Sequence, residues 1–273
     1  MQWKKNLSPL TVASLVILAI AILWALVPGL FTNQNPIQGG DTPALLAPSG
    51  EHWFGTDPVG RDLYTRVVYG ARQSLLGALL AVLFGLVVGT ILGVIAGVNK
   101  GVVDSVIMRV VDVFLSIPSL LLSLTVIMVL GHGTFNAAIA VGVTSVATFA
   151  RLARSQVLAV AASDYVEAAY GSGASPARVL FRHVLPNSLG AVVAVAALQF
   201  GLAILQLATL GFLGYGAPPP VPEWGAFGLR IARLHRHRRL ADPAARRGHR
   251  AGRPGGEPSQ PDSAKGGLTW ILC

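Results

Sequence analysis

Five long apolar runs constrain this chain more than any other feature of its sequence. They cover residues 10–30, 75–98, 113–130, 135–152 and 189–213. Each is long enough to cross about 30 Å of hydrocarbon as a helix that rises about 1.5 Å per residue. The composition agrees, since 53% of the residues are hydrophobic, 12% are charged and the mean hydropathy is +0.61. We therefore predict an all-α polytopic membrane protein with five spanning helices, the first of them uncleaved.

Basic residues between the runs predict the orientation. With the N-terminus inside, eight of them are cytoplasmic: Lys4, Lys5, Lys100, Arg109, Arg151, Arg154, Arg178 and Arg182. Three are external, namely Arg61, Arg66 and Arg72. Because basic residues are enriched in cytoplasmic loops, this distribution predicts a cytoplasmic N-terminus.

Glycines and glutamines mark two of the predicted spans. Four glycines recur every four residues in the second span and so share one helical face: Gly85, Gly89, Gly93 and Gly97. They indicate a packing seam or a glycine-lined pore. Gln199 and Gln206 share a face of the fifth span, where they either bond to another helix or line a pathway. The spans carry no acidic or basic residue near their middles, which argues against an ion-coupled transporter.

A polar loop, DYVEAAYGSGASPARVLFRHVLPN, separates the fourth and fifth runs. Ser163 or Asp164 can cap a short helix that Gly171 and Gly173 end. Ser175 followed by Pro176 starts a second helix, which Pro186 either ends or continues into the next span. Tyr170, Leu180 and Phe181 could anchor the loop in a groove on a partner; an ordinary amphipathic surface loop is the alternative.

Three motifs in this chain resemble those of ABC-importer inner-membrane permeases of the dipeptide, oligopeptide and nickel branch. The loop above resembles the family's EAA loop, through Glu167-Ala168-Ala169, Gly173 and the run His183 to Asn187. HWFGTDPVGRDLYTRVVYGARQSL, at 52–75, is similar to the signature before the second helix, and LGFLGYGAPPPVPEWG, at 210–225, to the segment after the fifth. The resemblance implies that the loop is the coupling helix that docks on an ATPase, with these residues: Glu167, Ala168, Ala169, Gly173, Ser175, Pro176, Phe181, His183, Leu185 and Pro186.

The resemblance further implies a type I importer permease in a bacterial inner (plasma) membrane. Such a chain forms half of a pathway for peptides or nickel complexes, with a second permease subunit in a heterodimer, two cytoplasmic ATPases and an extracytoplasmic binding protein. We expect no enzymatic activity and no cofactor, since the chain has no Gly-x-x-x-x-Gly-Lys-Ser/Thr phosphate loop. The alternative from the residues alone is an ATP-independent secondary transporter or channel.

Five segments follow from these features. They are an N-terminal span at 1–31, an external segment at 32–74, a permease core at 75–213 with the coupling loop at 163–187, an external loop at 214–225 and a basic tail at 226–273. The single cysteine, Cys273, excludes a disulfide within the chain and a cysteine-based metal site.

The tail departs from the family, which continues into a sixth spanning helix. Seven of the nine net positive charges lie after Trp224, and no apolar run there is long enough to span. We interpret the tail as the product of a shifted reading frame. Weaker interpretations are a nucleic-acid arm, a lipid-headgroup patch and a metal site at His235, His237 and His249. Shifting the frame from Arg233 onward permits DYIATAGWLTLLPGVAIVLAVLAANLLSR, which resembles the missing helix. We expect no nucleic-acid partner.

The tail generates the first prediction. If the reading frame is shifted, this chain lacks one wall of the pathway, and we expect little or no transport when it replaces the intact permease in a deletion strain. Uptake restored to the level of the intact permease by this sequence, tail included, would refute the hypothesis. The coding DNA read in all three frames is the independent check.

Overall fold

Helices account for most of the structure, a computed structural model that describes residues 8–39, 42–99 and 101–227. Within those ranges the only β-type pairing is an isolated bridge between Thr56 and Asp62. The helices are α1 (Pro9–Leu26), α2 (Leu63–Val98), α3 (Val102–Ser116), α4 (Ser119–Leu130), α5 (Thr134–Ala161), α6 (Asp164–Gly171), α7 (Pro176–Val179) and α8 (Leu185–Phe212). A 3-10 turn, Pro28–Leu30, follows α1, and a π turn, Leu180–Val184, joins α7 to α8.

Four stretches are long and apolar enough to span a membrane: α1, α2, α5 and the run from α7 to α8. A fifth span results if α3 and α4 together count as one broken span. The all-α polytopic fold predicted from the apolar runs is confirmed. The N-terminal residues 1–7 and the basic tail from residue 228 lie outside the described residues.

The helix that contains the second predicted span begins before the apolar run. Helix α2 starts at Leu63, twelve residues before residue 75, so part of the segment predicted as external is helical. The reason is local, because the carboxylate of Asp62 accepts a hydrogen bond from the Thr65 amide at 2.7 Å and caps the helix there. Hydropathy alone does not detect such a start, since the first turns of α2 are polar.

The prediction of one continuous helix at 113–130 is wrong. The chain breaks between α3 and α4 and bends by 98°. Pro118 lacks an amide hydrogen and disfavours helical backbone at the residue before it, and Ile117 is accordingly extended. Helix α3, on the other side, starts at Val102, well before the apolar run, and carries Asp104 and Asp112.

The second short helix predicted in the polar loop is not separate from the following span. The chain stays helical from Pro176 to Phe212, through the π turn and into α8. Pro186 has no amide to bond to the preceding turn, and the helix takes its π turn, Leu180–Val184, directly before it. The predicted loop at 163–187 thus contains α6, a turn and the start of one continuous helix.

The glycine row of α2 packs directly against α5. A Cβ atom on Gly89 would lie 2.5 Å from the Val146 carbonyl oxygen and 2.6 Å from the Phe149 Cβ. Gly85, Gly93 and Gly97 face α5 in the same way. The two helices run parallel, because Gly77 lies beside Thr134 and Gly97 beside Val157. This contact leaves the row no space to line a pore within the chain.

The seam generates the second prediction. We expect Gly89→Val to destabilise the protein by about 1–3 kcal/mol or more, because the added side chain must push α2 away from α5. Thermal unfolding of the purified protein in detergent measures the effect. Gly201→Val is the matched control, since Gly201 lies within α8 and a Cβ atom there would meet no neighbour within 4 Å. Equal unfolding temperatures for the two variants would contradict the seam.

Candidate functional site

Helix α6 and the turn after it form an exposed projection at one end of the bundle. Ser163 occupies the N-cap position, but its hydroxyl donates to the Val160 carbonyl and accepts no hydrogen bond from an amide of α6. At the other end, the Gly173 amide donates to the Tyr170 carbonyl at 2.9 Å and the Ala174 amide to the Ala169 carbonyl at 3.2 Å. These two bonds are those of a Schellman motif, which ends a helix sharply.

Gly173 is the residue that this turn requires. Its φ of +81° lies in the left-handed region, where any side chain is strained. Gly171, two residues earlier, has an ordinary helical conformation and ends α6. Of the two glycines predicted to break the helix, Gly173 makes the turn.

Four valines hold the projection against the bundle, and the sequence reasoning missed them. Val166 of α6, Val179 of α7 and Val184 of the π turn are buried against Val157 of α5. The available signal was apolar residues recurring within an otherwise polar loop. This small core fixes the position of α6 relative to α5 and α8.

The predicted loop residues mostly face outward. Glu167 and Ala168 are exposed on α6, and Phe181 exposes 68% of its surface. Tyr165 and Tyr170 are also about half exposed. The remaining predicted residues divide between exposed (Gly173, Ser175, Pro176, Pro186) and half-buried (Ala169, His183, Leu185). The projection and the π turn beside it therefore expose one carboxylate and three aromatic side chains, and the four valines pack beneath them.

A buried cluster of charges lies at the opposite end, inside the 52–75 motif. The Asp57 carboxylate pairs with Arg61 at 2.7 Å and lies 3.8 Å from Arg66. The amides of Val59 and Arg61 also donate to it, at 2.9 and 3.0 Å. Burial works to raise the pKa of Asp57, but the hydrogen bonds from Arg61 and Val59 outweigh it and hold that pKa below its ordinary value.

This Asp57 cluster ties together two motifs that are distant in sequence. Arg66 donates to the Pro36 carbonyl at 2.6 Å and to the Pro220 carbonyl at 3.2 Å. Trp224 donates its ring N–H to the Val67 carbonyl at 3.0 Å and its amide to Ser74 at 3.1 Å. The 52–75 motif and the 210–225 motif therefore close one end of the bundle together.

Glu223 is buried within this closure. Its carboxylate accepts a hydrogen bond from the Ala217 amide at 2.5 Å and packs against Gly216. Burial raises the pKa of Glu223, although the Ala217 amide partly counteracts the effect. The side chain closes the loop that follows α8.

The two glutamines of α8 differ in their contacts. Gln206 donates to the Ser119 hydroxyl at 2.9 Å and so joins α8 to the start of α4. Gln199, two turns earlier, is half-buried. Among the residues that the structure describes, no group of three His, Cys, Asp or Glu side chains is placed to hold a metal ion.

A bundle of membrane-length helices with one broken span and a helical projection at one end is the architecture of a polytopic membrane protein. Residues 89–228 match the model of the family described as "Binding-protein-dependent transport system inner membrane component". The chain belongs to this family of transport permeases. The importer-permease prediction from the three motifs is confirmed, which decides against a channel or secondary transporter.

Relatives and a solved structure agree with this assignment. The chain is 43% identical over 224 residues to the dipeptide transport system permease protein DppC of Alkalihalophilus pseudofirmus, covering 82% of this chain and 73% of that one. It is also 43% identical to the probable D,D-dipeptide transport system permease protein DdpC of Escherichia coli, over 82% and 75% of the two chains. The glutathione transport system permease protein GsiD of Pectobacterium atrosepticum is 42% identical over 66% and 60%.

Among solved structures, the fold is similar to a chain of the inward-facing MetNI methionine ABC transporter. The TM-score is 0.50 at 20% identity, over 67% of this chain and 95% of that one. This likeness concerns the fold alone.

The Asp57 cluster generates the third prediction. We expect Asp57→Asn to destabilise the protein by about 3–5 kcal/mol at neutral pH, because it removes the partner of a buried charge. In the unchanged chain, a carboxyl whose folded-state pKa is depressed loses its stabilising effect as the pH falls through that pKa, below about pH 4. Thermal unfolding between pH 7 and pH 3 measures both effects.

The control for this prediction is Glu51→Gln, which neutralises an exposed carboxylate in the same segment. We expect its unfolding temperature to match that of the unchanged chain at neutral pH. Asp57→Asn unfolding at the temperature of Glu51→Gln would show that the cluster does not hold the closure together.

Proposed function

We propose that this chain forms half of the translocation pathway of an ATP-driven peptide importer. Its partners are a second permease subunit in a heterodimer, two cytoplasmic ATPase subunits and an extracytoplasmic substrate-binding protein. The relatives support peptides as the substrate class over nickel complexes, since the three described above are named for transport of a dipeptide, a D,D-dipeptide and glutathione. ATP hydrolysis takes place on the partner, since this sequence has no nucleotide phosphate loop.

The main support for a coupling role is that α6 is exposed while Val166, on its inner side, is buried against the valine core. Tyr165, Tyr170 and Phe181 expose apolar rings at a bundle end that lies outside the hydrocarbon, where water would be the alternative contact. Exposed apolar side chains on a short, rigidly held helix are typical of a helix that lies in a partner's groove. The site residues of the loop, from Glu167 to Pro186, are those that meet the ATPase or hold α6 in place.

The orientation follows from the same end. Arg151, Arg154, Arg178 and Arg182 lie on or near the loop end of the bundle, which supports its assignment to the cytoplasm. The end of α1 contacts the start of α2 through Trp24 and Tyr64, so α1 runs antiparallel to α2. Because α2 runs parallel to α5, the N-terminus lies at the loop end and is cytoplasmic as well. The Asp57 cluster and residues 214–227 close the external end, where the binding protein delivers substrate.

Coupling is transmitted by the continuous helix from Pro176 to Phe212. A displacement of α6 moves α7 through the shared valine core. Because α7, the π turn and α8 form one helical rod, the same displacement reaches Gln206 and the Glu223 closure at the far end. ATP-driven closure of the ATPase dimer would in this way switch the pathway from inward- to outward-facing.

The shifted reading frame proposed for the basic tail, 226–273, stays a hypothesis, and all but the first two residues of the tail lie outside the described residues. A chain without the sixth helix keeps the projection that docks the ATPase. Docking and transport are therefore separable in this protein, and docking is the direct test of the coupling loop.

The loop generates the fourth prediction. We expect Glu167→Lys to weaken co-purification of the cognate ATPase at least about tenfold, or ~1.4 kcal/mol, because it inverts the charge on the exposed face of α6. We expect Gly173→Leu to act similarly, since a side chain at φ +81° strains the turn that positions α6. Affinity purification of the tagged permease from membranes, with the ATPase quantified in the eluate, measures both.

Two matched controls accompany these variants. Glu51→Lys makes the same charge inversion at the opposite end of the bundle, and Gly171→Ala adds a Cβ where no atom lies within 4 Å. Both should retain the ATPase. A complex that survives Glu167→Lys and Gly173→Leu equally well would remove the coupling assignment.

A further inference from the structure

The break between α3 and α4 lies beside the middle of helix α5. Helix α5 runs for 28 residues, or about 42 Å, and Thr144 and Thr148 lie about 15 and 21 Å from its start. Both threonines line the same cavity as Ile117 and Pro118, the residues at the break. Thr144 and Thr148 precede Arg151 by about 10 and 5 Å along α5, so the extended backbone at Ile117 lies beside the apolar part of this spanning helix, on the external side of Arg151.

Charged pairs hold α3 on the cytoplasmic half of α5. Arg154 donates to Asp104 through two of its nitrogens, one of them at 2.6 Å, and Arg151 pairs with Asp112. On the other side of the break, Gln206 of α8 donates to Ser119, the first residue of α4. The bend is thus fixed from both sides by contacts with the spanning helices.

A broken backbone at this depth cannot face lipid. Hydrocarbon offers no hydrogen bonds, so irregular segments inside a membrane either are covered by protein or line a water-filled cavity. Residues 114–119 are exposed on this chain, and Pro118 supplies no amide hydrogen to its helix. The polarity of the residues around the break distinguishes between a surface covered by protein and a water-filled cavity.

Hydroxyl groups converge on a cavity of about 320 Å³ at the break. The hydroxyls belong to Ser116, Ser119, Thr144 and Thr148, and the rest of the lining is apolar: Phe114, Leu115, Ile117, Pro118 and Leu122. Ser116 and Thr144 donate to carbonyls of their own helices, at 2.7 Å each, and so keep lone pairs free as acceptors. Polar side chains inside a membrane usually face the bundle interior or a water-filled cavity, so four hydroxyls on one exposed cavity favour water there.

The lining carries no ionisable side chain. It offers hydrogen-bond acceptors from serine and threonine beside apolar surface. A short peptide has the complementary chemistry. Each of its main-chain amides donates one N–H, and its side chains can contact the apolar surface. A free amino acid has no such amide N–H to donate.

We propose that this cavity, the break pocket of residues 114–119, Leu122, Thr144 and Thr148, is a binding site for the main-chain amides of the transported peptide. The inference rests on the proposed peptide-importer function and locates a substrate contact within it. It also separates the two glutamines: Gln206 positions the pocket through Ser119, whereas Gln199 lies two turns away from that contact.

Thiol labelling tests the pocket without requiring transport. The chain has one cysteine, so Cys273→Ser provides a cysteine-free background. In membranes that contain the full-length chain, Ser119→Cys and Thr148→Cys are treated with a membrane-impermeant, cationic methanethiosulfonate. Leu205→Cys is the matched control, because Leu205 neighbours Gln206 at the same depth and exposes 65% of its surface on the outside of the bundle.

We expect the two pocket cysteines to react at least about tenfold faster than the control, because the thiolate that reacts forms in water and is suppressed in hydrocarbon. We further expect millimolar Ala-Ala to slow labelling at both positions, and free alanine to have no effect. Two pocket variants are used so that a folding defect in one, detected as loss of membrane-inserted protein, leaves the other informative.

Three results would overturn the proposal. Labelling no faster than that of Leu205→Cys would show that the break is covered by protein. Fast labelling that Ala-Ala, tri-alanine and glutathione all fail to slow would show a water path without a peptide site. Equal protection by alanine would exclude recognition through the main-chain amide. Each of these leaves ATPase docking by α6 intact, whereas failure of the importer function would appear as loss of docking.

Discussion

The close contact between α2 and α5 is the constraint on which the rest of this structure depends. Inside a membrane, lipid tails are as apolar as the side chains, so helices associate through packing rather than through burial from water. The glycine row lets the two backbones approach until Gly89 meets the Val146 carbonyl. Because α2 and α5 run parallel, the chain between them must cross back, which α3 and α4 do as a broken span.

Each end of this parallel pair carries its own small structure. At one end the Asp57 cluster joins the segment before α2 to the segment after α8 through Arg66 and Trp224. At the other end the valine core fixes α6 beside α5. The continuous helix from Pro176 to Phe212 links the two ends, so a displacement at α6 can reach the Glu223 closure through one helix.

Much of the fold and the helix starts of the polar loop could be predicted from the sequence, because both depend on local chemistry. Apolar runs predict spans since hydrocarbon excludes polar groups, and the Ser175-Pro176 pair predicts a helix start since proline needs no amide partner there. The errors came where polar residues belong to spanning helices. The early start of α2 depends on capping by Asp62, and the polar residues of α3 are accommodated by Arg151 and Arg154 of α5. The helix cap and the ion pairs are contacts between specific residues, and a hydropathy profile carries no information about such contacts.

By itself the sequence determined the membrane class, the family and the position of the polar loop, because each is encoded in contiguous residues. Only the tertiary structure decided that the glycine row faces α5, that Gln206 meets Ser119 and Gln199 does not, and that the hydroxyls of α3, α4 and α5 share one cavity. The physical reason is that these contacts join residues dozens of positions apart. Which face meets which is set by the way the helices pack, and no local pattern specifies it.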